Sequence, residues 1–368
     1  MNPANGKALK MKPEEKIKPL REKIEAIDRG ILRLLNERAK IVQRVGKVKS
    51  KNKLDGYDPK REAEIFRYLN ATHSGPFPQQ AITPVFREII SACRSLEIEL
   101  TVVYLGPPAT HTHLACVERF GSSIRAFPRE SIQEVFEAVE RGKANYGVAP
   151  IENSTEGVVN RTLDMFIDSD LKICGEILVR ISHDLLSQSG RPEDILKIYS
   201  HPQALGQCRQ WLRKNFPQVQ LGETVSTAKA AQLAAEDPRA AAIASSLAAR
   251  VYGLRIMESR IEDYLHNYTR FLVLGRQIGS RTGKDKTSLL FSIPDSPGSL
   301  YQVLKSFSEK GINLTKIESR PIKDKPWEYV FFLDFEGHAS DPQIHEAMVE
   351  LKGNVLFLKF LGSYPRSS

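Results

Sequence analysis

The most regular hydrophobic pattern lies in the first fifty residues. Apolar side chains fall at Ile17, Leu20, Ile24, Ile27, Ile31, Leu34, Ile41, Val45 and Val48. Their intervals alternate three and four, which predicts one stripe of a long packed helix. One step of the stripe lands on Arg38. A guanidinium on a packed seam is costly unless it meets an anion, so the packing ends there, a buried acid pairs with it, or a ligand does. Lys49 favours a ligand, because it lies about 20° around the helix and about 17 Å along it. Arg21 sits about 26 Å before Arg38 and off its face. One straight helix cannot bring all three to one small molecule, so a second copy is expected to provide Arg21 and the segment to dimerise. A turn signal at Lys53–Gly56 precedes Asp58 and Pro59. These predict an N-cap and first helical position, with Arg61 and Glu62 in the first turn. That helix fades at Asn70, and a third is predicted from about Thr83 to Leu96.

From Thr101 the pattern changes to strand–helix alternation. Strands are expected at 101–105, 146–150, 173–181, 198–200, 241–244 and 271–274, giving an α/β unit with two lobes and a cleft. Five polar clusters punctuate it: Gly106 to Thr112, Glu152 to Ser154, Ser200 to Gln207, Ser226 to Ala228, and Asn267 to Phe271. Each alone reads as a cap or turn; five together, offering hydroxyls, amides and one arginine, suggest a site for a small acid at strand ends and helix starts. His111 and His113 form a possible HxH pair but lack nearby further ligands, so no metal is expected. Residues 276–286 are rich in Gly, Ser and Lys and read as a linker. Beyond it a βαββαβ order predicts a ferredoxin-like α+β sandwich.

Composition narrows the function. The 368-residue chain is 41% apolar with a net charge of +9. Met1 to Arg61 carries eighteen Lys or Arg against eight Asp or Glu, so the surplus sits in the helical segment. This fits nucleic acid, an acidic membrane surface or a multiply anionic substrate. Cations on the apolar stripe, without helix-turn-helix spacing, argue against DNA. No run of about 18 apolar residues predicts a membrane span. The polar, lysine-rich start is unlike a secretory signal. Four isolated cysteines favour reduced thiols in a cytoplasmic protein. No Gly-rich dinucleotide loop or Walker pattern occurs, and no cofactor is expected.

Three sets of motifs resemble known families. Leu20-Arg21-Glu22-Lys23-Ile24, Glu37-Arg38, Gly46-Lys47-Val48-Lys49, Asp58 with Arg61-Glu62, and Ile89 to Arg94 resemble the intertwined, all-helical chorismate mutases. The resemblance implies that Arg38, Lys49, Arg61 and the partner's Arg21 grip the carboxylates and ether oxygen of chorismate. Asp58 and Glu62 would hold its hydroxyl. Glu97 stands where many relatives carry glutamine, and Cys93 where serine is frequent. Gly106-Pro107, Pro150 to Ser154, His201 to Ala204, Ser226-Thr227-Ala228 and Thr269-Arg270-Phe271 are similar to prephenate dehydratases, whose lobes are periplasmic-binding-protein-like. Ala109 departs from the usual glycine. Thr269 would assist departure of the ring hydroxyl, with Asn153, Ser154, Ser200, Gln207, Ser226 and Thr227 around prephenate and Arg270 organising or contacting a carboxylate. Pro297 to Leu300, Gly311 to Leu314 and Glu318 to Pro321 look like the amino-acid-sensing ACT domain. There Gly298, Ser299, Leu300, Asn313, Leu314, Glu318, Ser319 and Arg320 would bind phenylalanine between paired copies.

The expected organisation is a disordered tail (1–13), a mutase domain (14–99), a dehydratase domain (100–276), a linker (277–286) and an ACT domain (287–368), in a homodimer or dimer of dimers. The implied activities turn chorismate through prephenate into phenylpyruvate under phenylalanine feedback; a non-catalytic sensor or nucleic-acid-binding regulator is the alternative. The mutase step is pericyclic and needs only a held chair and stabilisation of the ether oxygen. Glu97 can donate to that oxygen only when protonated, so the rate is expected to fall as its carboxyl ionises.

Overall fold

The structure, a computed structural model, describes residues 13–52, 57–264, 266–321 and 329–367. The expected tail through residue 12 and the turn at Lys53–Gly56 lie outside the described residues. The chain opens with α1 (Pro13–Lys51), α2 (Pro59–Thr72) and α3 (Gln79–Ser95). α3 starts four residues earlier than expected and takes Pro84 into its interior. The α1 stripe is not covered by its own chain: Leu20, Ile24, Ile27, Ile31 and Leu34 remain 50–62% exposed.

The α/β part comprises β1 (Thr101–Leu105), α4 (His111–Phe120), β2 (Arg125–Arg129), α5 (Ile132–Glu140), β3 (Tyr146–Asn153), β4 (Gly157–Val158), α6 (Asn160–Asp168) and β5 (Lys172–Arg180). It continues with β6 (Asp184–Ser187), β7 (Lys197–Ser200), α7 (Pro202–Gln207), α8 (Arg209–Asn215), β8 (Gln220–Glu223), α9 (Thr227–Glu236), β9 (Ala240–Ala244), α10 (Ser246–Tyr252), β10 (Arg255–Glu258) and β11 (Tyr268–Gly275). Two sheets result, in the orders β2-β1-β3-β11-β5 (with β4 on β3) and β10-β6-β9-β7-β8. The chain leaves the first lobe after β5 and returns as β11, which inserts antiparallel between β3 and β5. β9 is alanine throughout except Ile243 and wholly buried. Its small side chains let α9, with buried Ala228, Ala230, Ala231 and Ala234, lie close against the sheet. The sequence pattern missed β2, a peripheral strand holding Pro128, because proline is tolerated at a sheet edge.

The C-terminal part is β12 (Asp285–Ser292), α11 (Ser299–Ser308), β13 (Leu314–Pro321), β14 (Tyr329–Glu336), α12 (Pro342–Asn354) and β15 (Phe357–Pro365), with sheet order β13-β14-β12-β15. Leu290, Val330, Phe332, Leu361 and Tyr364 share one core with Phe166 and Ile173 of the first lobe. Gly362 makes this joint possible, because a β-carbon there would collide with the Ile173 carbonyl. No helix of the described residues is long and apolar enough to cross a membrane.

Candidate active sites

The helical segment encloses a pocket of about 100 Å³ lined by Arg38, Val42, Lys49, Asp58, Arg61, Glu62, Ile65, Ile90, Cys93, Arg94 and Glu97. α1 presents Arg38 and Lys49. The Asp58 side chain caps α2 by accepting from the Arg61 N–H at 3.0 Å, which sets Arg61 and Glu62 in the first turn at the pocket edge. The segment just beyond α3 brings Glu97 to within 3.1 Å of Lys49 Nζ. That approach needs Gly46, since a β-carbon there would run into Glu97 Cγ. One Arg38 nitrogen is buried without a hydrogen-bond partner, a cost that an acceptor entering the pocket would relieve, and a carboxylate most strongly. Arg21 stands on α1 outside the pocket. Arg94, not singled out by the sequence as a site residue, pairs with Glu62 at 2.5 Å.

Between the lobes lies a second cavity of about 380 Å³. Thr269 and Asn153 are register partners on β11 and β3, and both line it with Gln207, Ser226, Thr227 and His111. Asn153 Nδ2 donates to Thr269 Oγ1 and to Asn267 Oδ1, each at 2.8 Å. Its Oδ1 accepts from the Thr155 and Glu156 N–H groups at 2.9 Å. Asn153 is thus committed to holding Thr269 and the following turn. Because Thr269 Oγ1 accepts from Asn153, its own proton is free for another acceptor. Ser226 caps α9, and Gln207 Oε1 lies 2.7 Å from His183 Nε2. Burial pushes His111 down to about 4, with the neighbouring His183 adding to the effect; burial also lowers His183. The cleft wall therefore carries two neutral imidazoles at pH 7. His183 carries no sequence signal; of the HxH pair His111 lines the cleft, whereas His113 Nδ1 accepts from the Ala109 N–H at 3.1 Å. Among the described residues no cluster of three His, Cys, Asp or Glu is placed to hold a metal.

Three expected residues point elsewhere. Ser200 is fully buried, and its hydroxyl donates to the Ile243 carbonyl at 2.7 Å. Ser154 Oγ accepts from the Tyr268 N–H at 2.9 Å and does not line the cleft. Arg270 follows Thr269 on a strand, so alternation sends it to the opposite face. There it bonds Glu176 at 2.7 Å, Asp334 at 2.6 Å and the Tyr364 hydroxyl at 2.9 Å. Burial alone would raise the Glu176 carboxyl, but Arg270 and Lys286 hold it below its usual range. Glu152, the register partner of Arg270, likewise reaches the C-terminal part and pairs with Lys316 at 3.0 Å.

The C-terminal part has a cavity of about 530 Å³ lined by Gly298, Ser299 and Leu300 with Ile293, Asp295, Tyr301, Tyr329, Phe331 and Leu356. Asn313, Leu314, Glu318, Ser319 and Arg320 do not line it. Arg320 instead binds Asp164 of α6 at 2.9 Å.

Residues 20–98 match the family described as chorismate mutase type II, residues 102–278 prephenate dehydratase, and residues 287–353 the ACT domain. The chain is 52% identical over 357 residues to a bifunctional chorismate mutase/prephenate dehydratase of Aquifex aeolicus, covering 96% of this chain and 99% of that one. Over 363 residues it is 41% identical to the protein of that name from Pseudomonas aeruginosa, covering 97% and 100%. A prephenate dehydratase of Arthrobacter aurescens, solved in complex with L-Phe, matches 73% of this chain and 90% of its own, with a TM-score of 0.67 and 36% identity. With both matches spanning nearly the whole length of each protein, the chain belongs to the family of bifunctional chorismate mutase/prephenate dehydratases.

Proposed function

We propose that the helical pocket rearranges chorismate to prephenate, that the cleft converts prephenate to phenylpyruvate, and that L-phenylalanine inhibits from the C-terminal domain. The observation that carries this reading is the separation of two chemically different side-chain sets. Cations and carboxylates converge in one place, and a hydroxyl held by an amide in another. The first suits a pericyclic reaction. Arg38 and Arg61 bind the substrate carboxylates, Asp58 and Glu62 its hydroxyl, and Lys49 the breaking ether oxygen, where negative charge develops. Glu97 adds a second donor when protonated. Arg21 comes from a second copy, which also covers the exposed α1 stripe; a homodimer or dimer of dimers follows.

In the cleft, prephenate loses its ring hydroxyl as water and its ring carboxylate as carbon dioxide, and the ring becomes aromatic. Thr269, oriented by Asn153, hydrogen-bonds the departing oxygen through its hydroxyl proton and keeps that proton; the oxygen leaves with the bonding electrons and takes from solvent the proton that completes water. The surrounding amides, hydroxyls and neutral imidazoles, including Gln207, Ser226 and Thr227, hold the substrate without over-stabilising the carboxylate that must leave. The fold assignment that accompanies this reading is two periplasmic-binding-protein-like lobes and a ferredoxin-like ACT domain, in a cytoplasmic protein with domains at 14–99, 100–276 and 287–368.

Phenylalanine occupies the cavity at Gly298, Ser299 and Leu300, completed by the β13 residues of a paired copy. Its effect reaches the cleft through Arg270–Asp334 and Glu152–Lys316, which grip the backs of the two strands carrying Thr269 and Asn153. The test is to feed chorismate to the full chain and follow prephenate and phenylpyruvate together. Both should appear in sequence, phenylpyruvate formation should fall when L-phenylalanine is added, and the absence of either product defeats the reading.

A further inference from the structure

Arg94 lies in the last turn of α3 but joins both catalytic units in space. Its side chain is 7% exposed. Nη1 donates to Glu62 Oε1 at 2.5 Å and Nη2 to the Phe120 carbonyl at 2.6 Å. Glu62 lines the mutase pocket. Phe120 is the last residue of α4, whose first residues, His111 and Thr112, line the dehydratase cleft. α4 spans about 15 Å, and its carbonyl end attracts the cation. The contact is built on both sides. The guanidinium lies over the Tyr57 ring at 5.1 Å, and Tyr57, which directly precedes Asp58, packs against Phe120 and Tyr146 of the dehydratase core at 5.1 and 5.3 Å. From α3, Glu88 Oε2 accepts the Ser122 N–H at 3.1 Å and Ser91 Oγ the Ser123 N–H at 3.2 Å. Gly121, at φ 76, leaves room for this, because a β-carbon there would strike Ser91.

We infer that Arg94 is a positioning residue for the mutase reaction, holding Glu62 from an anchor on the dehydratase unit. The inference rests on the functional reading above. Only a planar fork can meet a carboxylate and a carbonyl in fixed directions at once; a lysine ammonium cannot. A misplaced substrate partner costs rate even where it still binds.

The experiment uses the full chain with Arg94→Lys, Glu62→Gln and the double variant, assaying mutase turnover on chorismate and dehydratase turnover on supplied prephenate. Arg94→Lys should lower mutase kcat/KM roughly tenfold to a hundredfold and leave dehydratase turnover near wild type. The double variant should be no slower than Glu62→Gln alone, because Arg94 acts through that carboxylate. Losses that multiply in the double variant would assign Arg94 an independent contact and overturn the inference. So would unchanged mutase activity in Arg94→Lys. Parallel loss of both activities would reduce Arg94 to a fold-holding joint and overturn it equally. A wild-type chain without mutase activity would instead defeat the functional reading.

Discussion

Arg270 Nη1 lies 2.6 Å from Asp334 Oδ2, tying the strand that carries Thr269 to the C-terminal sheet. Asp334 is fully buried. Removing it leaves part of a buried guanidinium uncompensated, which costs about 3 kcal/mol or more. Asp334→Ala is therefore expected to lower the urea midpoint of the unit formed by the dehydratase and C-terminal domains. At temperatures where it stays folded, the variant should have lost phenylalanine sensitivity of the dehydratase while keeping mutase turnover. Undiminished inhibition would remove this ion pair from the regulatory route.

Asn153 acts on Thr269 through the direction of a proton. Asn153→Asp keeps the shape but replaces the donor with an acceptor, which turns the Thr269 hydroxyl back toward the carboxylate. Dehydratase kcat should fall about a hundredfold, comparable with Thr269→Ala, while Thr269→Ser retains most activity. Normal turnover in Asn153→Asp would show that the 2.8 Å contact does not set the hydroxyl.

The Lys49–Glu97 contact of 3.1 Å bears on mutase pH dependence. An amide presents an N–H at every pH, whereas a carboxyl does so only when protonated, so a donor role for this side chain predicts that Glu97→Gln changes the pH dependence of the mutase step. A pH–rate profile of kcat/KM for both proteins checks this; superimposable profiles would take Glu97 out of the donor role.

The cleft histidines give stability a different pH dependence. His111 is lowered from its ordinary 6.5 to about 4 by burial and by His183. The unfolded chain therefore takes up a proton before the folded one does. The stability it contributes is fully present above about 6.5 and is lost as pH falls toward about 4. His111→Phe should flatten the drop in melting temperature between pH 7 and 5. An equally steep drop in the variant would exclude His111 as its source.

Much of this architecture was legible in periodicity. The α1 stripe predicted a long helix and an uncovered seam, and the clusters around Asn153, Gln207, Ser226 and Thr269 do meet in one cavity. The misreadings have physical causes. Ser200 lies beside that cavity, but its hydroxyl is spent on the Ile243 carbonyl, a partner that sequence distance conceals. Adjacency in sequence groups Arg270 with Thr269, whereas they sit on a strand whose period of two separates them. Arg94 gave no site signal because its partners, Glu62 and Phe120, are 32 and 26 residues away. Polar residues at strand ends announce a site; which of them face inward is decided by the pairing of β3 with β11.

The central claim is that two independent sites act in succession in one chain, and a cross-feeding assay tests it most directly. Thr269→Ala given chorismate should accumulate prephenate and form almost no phenylpyruvate. Arg38→Ala should form neither from chorismate, yet convert supplied prephenate at the wild-type rate. If either substitution abolished both activities in a folded protein, or if Arg38→Ala still made prephenate at the wild-type rate, the account of two separate sites would be contradicted.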